Sequence, residues 1–221
     1  MKLVYDRMGH ILNFDKEHVI ELVVENKRLF FDMVNDMTRQ IDGEKGGFVL
    51  SIGDKLVEIS RYADLSLQFA PFQVNRKSLL TKLCSALEQE AMSAENFMDI
   101  GRLLAEVEQQ IIRLADDLPF DVSCKKLSIG SIIKAIAPEI DHSRDSALDK
   151  IFAYMQLVRE IDHDRLFVLV NMRTYFSDDD MDLFAKTTSL HDFKVLLLES
   201  TAFAPVKYSK RYIIDDDLCE F

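Results

Sequence analysis

The sequence predicts an α/β protein with a mostly parallel sheet head, and two apolar runs with the helix between them carry that prediction. Leu166-Phe-Val-Leu-Val-Asn171 and Phe193-Lys-Val-Leu-Leu-Leu-Glu199 lack the polar alternation of a half-solvated strand. A strand without a polar face is buried on both sides, as in a parallel sheet covered by helices. Between the runs, Ser177-Asp-Asp-Asp180 reads as an N-cap followed by first-turn acids, and Met181 to Ser189 as the helix that follows. A side-chain acceptor and negative charge both satisfy a helix N-terminus. The unit is a strand-helix-strand crossover.

The N-terminal third reads as short strands around one helix. Lys2 to Tyr5, His10 to Phe14 and Val19 to Glu25 look extended, and Arg28 to Ile41 has apolar residues at helical spacing before the turn at Gly43 to Gly47. Phe48 to Ile52 and Leu56 to Ile59 flank Gly53-Asp54, a hairpin signal. Leu65 to Phe69 alternates and stops at Pro71.

From Asn75 the period changes to that of a helix: Leu79, Leu80, Leu83 and Leu87, then Phe97, Ile100, Leu103, Leu104, Val107, Ile111 and Leu114. Ser93 interrupts the stripe as an N-cap, so two long helices are expected, packed as a hairpin, with Gly101 a weak point in the second. Beyond Pro119 come a short helix from Ser128 to Ala137, a turn at Pro138, a long helix from Arg144 to Ile161, and a last strand at Tyr212-Ile-Ile214. The expected organisation is an α/β head over residues 1–74 and 120–221 interrupted by a helical leg over residues 75–119.

Composition narrows the function. With 221 residues, 48% of them apolar, the chain can bury a substantial core. A net charge of -11 argues against coating nucleic acid or an anionic membrane with the whole surface, while leaving room for a local basic groove. Cys84, Cys124 and Cys219 are odd in number and lack metal-ligand spacing, which fits a reducing, cytoplasmic setting. No apolar run approaches the ~20 residues that cross a bilayer, and Met1 to Arg7 lacks a signal-peptide block.

Most catalytic signatures are missing. A phosphate loop needs glycines that aim backbone N–H groups at oxygen and a Lys for the terminal phosphates. No glycine here precedes Lys-Ser or Lys-Thr, and Gly43-Glu-Lys-Gly-Gly47 reads as a helix stop and turn. His10, His18, His142, His163 and His191 are scattered, and Gly130-Ser131 lacks the second glycine of a nucleophile elbow. Glu25-Asn-Lys27 has the Glu-x-Lys order of some metal-dependent nucleases, but it lacks a partner Asp on a neighbouring buried strand, and a solvated strand end is the reading that prevails.

Two kinds of charged cluster remain. Asp116, Asp117 and Asp121 gather at a helix C-terminus, where the macrodipole disfavours negative charge, and are the candidate ligands for calcium or magnesium, with plain solvation the favoured ordinary reading. Asp178 to Asp180 and Asp215 to Asp217 are explained by a helix start and a solubilising strand end. Basic residues concentrate at Arg76, Lys77 and Lys82, at Lys125, Lys126 and Lys134, and at Lys207 to Arg211. Each alone is an ordinary solvated face. Brought together, they suit phosphate contact without base readout, since no aromatic is interleaved for stacking.

Several segments resemble the Csn-two family, the CRISPR-associated protein of subtype II-A systems that takes part in spacer acquisition. They are Asp149 to Leu157, Leu166 to Asn171, Thr174-Tyr-Phe-Ser-Asp178, Val195 to Glu199 and Tyr212-Ile-Ile-Asp-Asp-Asp217, with Leu65 to Phe69 running through Val74-Asn75 into the long helix. The resemblance implies a head related to nucleotide-binding ATPases but without their phosphate loop or any nucleotide. It also implies a helical leg and a homotetrameric ring that encloses double-stranded DNA without sequence preference.

It further implies no catalytic site, calcium supporting the ring, and association with the Cas integrase and the RNA-guided Cas nuclease. The acidic string between leg and head is thinner than the family's, reading Asp116-Asp-Leu-Pro-Phe-Asp121. A ring with acids outside and lysines around its hole would reconcile the net charge with DNA binding. The competing readings are a helical scaffold for protein partners that touches DNA weakly, and a metal-dependent nuclease.

Overall fold

A computed structural model describes residues 1–116, 118–119, 122–123, 125–141, 146–161 and 165–221, with the backbone alone described at residue 116. The chain divides into two compact units, one formed by Met1–Gln73 with Arg144–Phe221 and the other by Val74–Ser143.

The first unit carries two sheets. The smaller is antiparallel, in the order β2 (Leu12–Asn13), β1 (Lys2–Tyr5), β4 (Phe48–Ile52), β5 (Lys55–Val57). The β4–β5 hairpin turns at Gly53, whose φ of +58° suits a residue without a Cβ. The larger sheet contains β3 (Val19–Val24), β6 (Ala63–Ser66), β7 (Leu166–Val170), β8 (Lys194–Glu199) and β9 (Lys210–Ile214). These five strands are all parallel and lie in the order β6-β7-β8-β3-β9. Every residue of β3 and β7 is buried, as the unbroken apolar run of β7 predicts.

Helix α1 (Lys27–Ile41) covers one face. Its Leu29, Met33 and Met37 join Ile20, Leu22 and Val24 of β3, Leu196 and Leu198 of β8, and Leu3, Phe48 and Leu50 of the small sheet in one core. Helices α6 (Ala147–Ile161) and α7 (Asp178–Leu190) belong to the other face, where Phe152 meets Phe184 at 5.2 Å and Phe193 at 6.4 Å. Helix α7 starts at Ser177, which forms a capping box with Asp180. A four-residue helix α2 (Ile59–Tyr62) takes up the end of the run expected as strand. The next strand, β6, begins two residues before the expected Leu65, because α2 ends at Tyr62 and leaves Ala63 extended.

The second unit is helical. It contains α3 (Lys77–Ala91), α4 (Phe97–Asp116) and α5 (Ile129–Ile136), so it extends beyond residue 119 and takes in the short helix expected with the head. Helix α5 begins at Ser128, whose Oγ accepts from Ser131 N–H, and ends at Ala137 in the left-handed region with φ 50°. Its packing partner is α3, where Gly130 lies against the Glu88 side chain. The expected α3–α4 hairpin packing gives way to this arrangement, since the apolar stripe of α4 remains exposed.

Leu198 is fully buried in the main core, whereas Leu56 is 76% exposed on the hairpin. In urea unfolding, Leu198→Ala should cost about 2–5 kcal/mol and Leu56→Ala no more than about 0.5 kcal/mol.

Candidate functional site

In open parallel sheets ligands sit outside the carboxyl ends of the strands, where the winding reverses. Here that place is beside β3, which precedes α1 on one face and neighbours β8, which α7 precedes on the other. The turn from β3 into α1 is two residues, Glu25 and Asn26. Asn26 Oδ1 accepts from Leu29 N–H at 3.0 Å, and its Nδ2 donates to the Asp216 carbonyl at 2.9 Å. The helix start is therefore occupied by the chain's own cap, where a nucleotide-binding fold would spread a glycine loop.

The neighbouring strand ends are also tied together. Asn171, in the left-handed region with φ 53°, accepts from Ser200 N–H and Ser200 Oγ, both at 2.9 Å. A 3₁₀ turn over Met172–Thr174 follows and buries Arg173, whose N–H donates to Glu199 Oε1 at 3.2 Å.

Arg173 is the hub of an ionic cluster under this edge. It donates to Glu21 Oε1 at 2.7 Å, Asp178 Oδ1 at 2.5 Å and the Ala204 carbonyl at 2.5 Å. Arg211 of β9 grips the same Glu21 carboxylate at 2.6 and 2.9 Å and donates to the Phe203 and Ala204 carbonyls. Glu21 and Glu199 are both fully buried. Burial pushes the Glu199 carboxyl up to about 7; the adjacent Glu21 charge adds to this, while the Arg173 N–H and charge oppose it.

Sequence reasoning assigned nothing to Glu21 or Arg173. The signal was present, since a charge in the middle of a doubly buried strand requires a buried partner. Arg211, grouped with a solvated basic face, belongs instead to this cluster, and Lys207 pairs with Asp182.

The candidate phosphate-contacting residues Arg76, Lys77, Lys82, Lys125, Lys126 and Lys134 all fall in the second unit. Arg76 is the N-cap of α3 and Lys77 its first residue, with no acid in the first turn. Cations there oppose the macrodipole, so helix stability does not explain them. Lys77 and Lys134 line one open cavity of about 540 Å³ between α3 and α5, with Leu80, Cys84 and Ile133 on its wall. Lys82 is half-buried on α3, and Lys125 and Lys126 are exposed in the irregular segment before α5. The candidate cation ligands Asp117 and Asp121, and the Asp116 side chain, lie outside the described residues. Among the described residues no three His, Cys, Asp or Glu side chains converge as they would on a metal ion.

Among the described residues of this unit, helix α4 carries an exposed apolar surface. Phe97, Met98, Leu103, Val107, Ile111 and Leu114 are 46–77% exposed. Their spacing places most of them on one stripe.

The family model for CRISPR-associated protein Csn2 matches residues 40–218. The chain belongs to the Csn2 family. CRISPR-associated protein Csn2 of Enterococcus faecalis is 22% identical over 147 residues, covering 66% of this chain and 66% of that protein. The match thus spans just under two thirds of the curated relative's length. Among solved structures, Stu0660 of Streptococcus thermophilus superposes with a TM-score of 0.58 at 12% identity, over 90% of this chain and 68% of that one, a likeness of fold. For this Csn2-family chain, no helix among the described residues is long and apolar enough to cross a membrane.

The Glu199 carboxyl predicts a pH effect on stability. Its folded value of about 7 lies above the ordinary 4.5, so the folded state holds a proton that the unfolded chain releases. That contribution is complete below the ordinary value and is lost as pH rises through about 7. Relative to Glu199→Gln, the wild type should lose on the order of 2–3 kcal/mol between about pH 5 and about pH 8 in denaturant titrations. Arg173→Ala, which strips Glu21 of one of its two buried partners, should cost about 3–5 kcal/mol.

Proposed function

We propose that the protein is a non-catalytic ring that encloses double-stranded DNA without sequence preference during CRISPR spacer acquisition. The ring is a homotetramer acting with the Cas integrase and the RNA-guided Cas nuclease in the cytoplasm. The observation that carries this reading is the exposed apolar stripe of α4. A chain of net charge -11 is poorly suited to holding DNA as a monomer, and enclosure requires copies to meet through a face of this kind.

Two further features support it. The capped two-residue turn after β3 occupies the place where the parent scaffold would hold phosphate. The basic residues at the start of α3 and on α5 place lysines in the second unit without aromatic interleaving, a local patch suited to backbone contact alone, with Glu88 and Glu139 on the same cavity wall. Calcium enters as a cation for Asp116, Asp117 and Asp121, and the proposed DNA contact does not pass through it. The α4 stripe would equally serve a helical scaffold that docks a different protein, and this is the second reading.

Gel shifts of linear and covalently closed circular duplex at several salt concentrations separate the two. A threaded ring binds the linear form, discriminates against the closed circle and weakens steeply as salt rises; equal binding of both forms, or binding of neither at any of the concentrations, removes it. The Lys77→Ala, Lys134→Ala double variant should lower the slope of log affinity against log salt by about two. Val107→Glu, at the centre of the stripe, should shift the species seen by light scattering to the monomer and abolish the discrimination between forms.

A further inference from the structure

The connection from β8 to β9 crosses the buried ionic cluster as a strap. Residues 201–205 are exposed, yet the strap is held at several points. Ser200 bonds Asn171, Val206 is buried, and Lys207 N–H donates to Asp182 Oδ1 at 2.7 Å. Between these anchors the Phe203 and Ala204 carbonyls accept from Arg211 at 2.8 and 2.9 Å, and Ala204 also accepts from Arg173 at 2.5 Å. The Phe203 ring lies 5.0 Å from the Arg173 guanidinium. The middle of the strap thus rests on two arginines that are themselves fixed to Glu21.

Two atoms in this cluster stand out. Arg173 Nε and Glu199 Oε2 are both buried and neither has a protein partner. One is a donor and the other an acceptor, on residues already joined through the Arg173 N–H. A buried orphan of either kind costs free energy, and a donor and an acceptor left over in one cluster are complementary to each other.

Charge balance decides which pattern is occupied. With Glu199 uncharged, the cations Arg173 and Arg211 face the anions Glu21 and Asp178, and the cluster is neutral. Ionised Glu199 adds an unmatched buried anion, and Arg173 Nε is the donor still free to meet it. The other charged groups bordering the cluster, Asp182 of α7 and Lys207, already satisfy each other. To turn toward Glu199, Arg173 would give up its weakest bond. That is the Ala204 carbonyl, the one acceptor of its three side-chain bonds that carries no charge to attract the guanidinium.

We infer that Arg173 and Glu199 form a two-position ionic latch, which clamps the 200–206 strap while Glu199 is protonated and loosens it when Glu199 gives its proton to solvent. The strap then keeps its Arg211 bonds and loses the Arg173 bond and the stacking under Phe203. This places a pH-sensitive segment on the first unit, independent of whether the chain encloses DNA.

The chain has no tryptophan, so Phe203→Trp installs a single fluorescent reporter directly over Arg173. Its emission should shift to the red as pH rises, with a midpoint near 7, and combining it with Glu199→Gln should remove the step. An emission maximum that stays fixed, or a step that survives Glu199→Gln, overturns the latch. Should the double variant not fold, a ¹⁵N titration of the Arg173 Nε–H in the wild type decides. A downfield move through the same midpoint supports the latch, and an unmoved resonance rejects it.

Discussion

The first unit depends on one buried carboxylate. Glu21 sits in the middle of a strand with no solvent on either face, where an unpaired charge would cost several kcal/mol. The fold meets that cost by bringing Arg211 from the adjacent strand and Arg173 from the turn after β7 to the same two oxygens. Arg173 in turn reaches the first residue of α7, and both arginines reach the β8–β9 connection. A single requirement for charge compensation therefore sets the positions of two strands, a 3₁₀ turn, a helix start and a loop. An apolar residue at position 21 would leave the buried Arg173 without that carboxylate, while the backbone ladders of β3 with β8 and β9 would remain.

Much of the sheet was legible because burial on both faces leaves an unambiguous composition. β7, β8 and the capped helix between them follow from Leu166 to Asn171, Ser177 to Asp180 and Phe193 to Glu199 without knowledge of tertiary contacts. Local patterns failed where packing chooses between alternatives. The strand expected at Leu65 to Phe69 lies at Ala63–Ser66 because the preceding four-residue helix, shorter than any period can reveal, shifts it. The α3–α4 pairing was expected from two amphipathic stripes, but stripe width does not name a partner, and α3 chose the shorter α5. The ionic cluster was missed for a related reason. Glu21, Arg173, Glu199 and Arg211 are separated by up to 190 residues, and a parallel sheet joins strands that no short-range spacing connects.

The carboxyl edge of the large sheet is held together by the chain's own hydrogen bonds. In this topology the edge is open enough for a ligand when the turn into the first helix is long and glycine-rich. Here Asn26 bonds the Asp216 carbonyl and the helix start, and Asn171 accepts from Ser200 N–H. Cationic groups suited to phosphate lie instead in the second unit, on helices that need no sheet edge to position them.

That relocation bears on the conflict between a net charge of -11 and the proposed assembly. Copies of an acidic chain repel, but at physiological ionic strength the field decays over about 8 Å, and exposed charges at an interface rim contribute little. Covering the α4 stripe acts at contact, where each large apolar side chain contributes roughly 1.5–3 kcal/mol on full burial. Six such residues, even half covered, outweigh a screened repulsion between surfaces. Lowering the salt reverses the balance, because the repulsion lengthens while the apolar term stays constant. DNA contact responds in the opposite sense, being strongest at low salt. The proposed assembly and the proposed phosphate binding would therefore have opposed salt dependences, and a ring doing both would have a window of ionic strength bounded on each side by a different force.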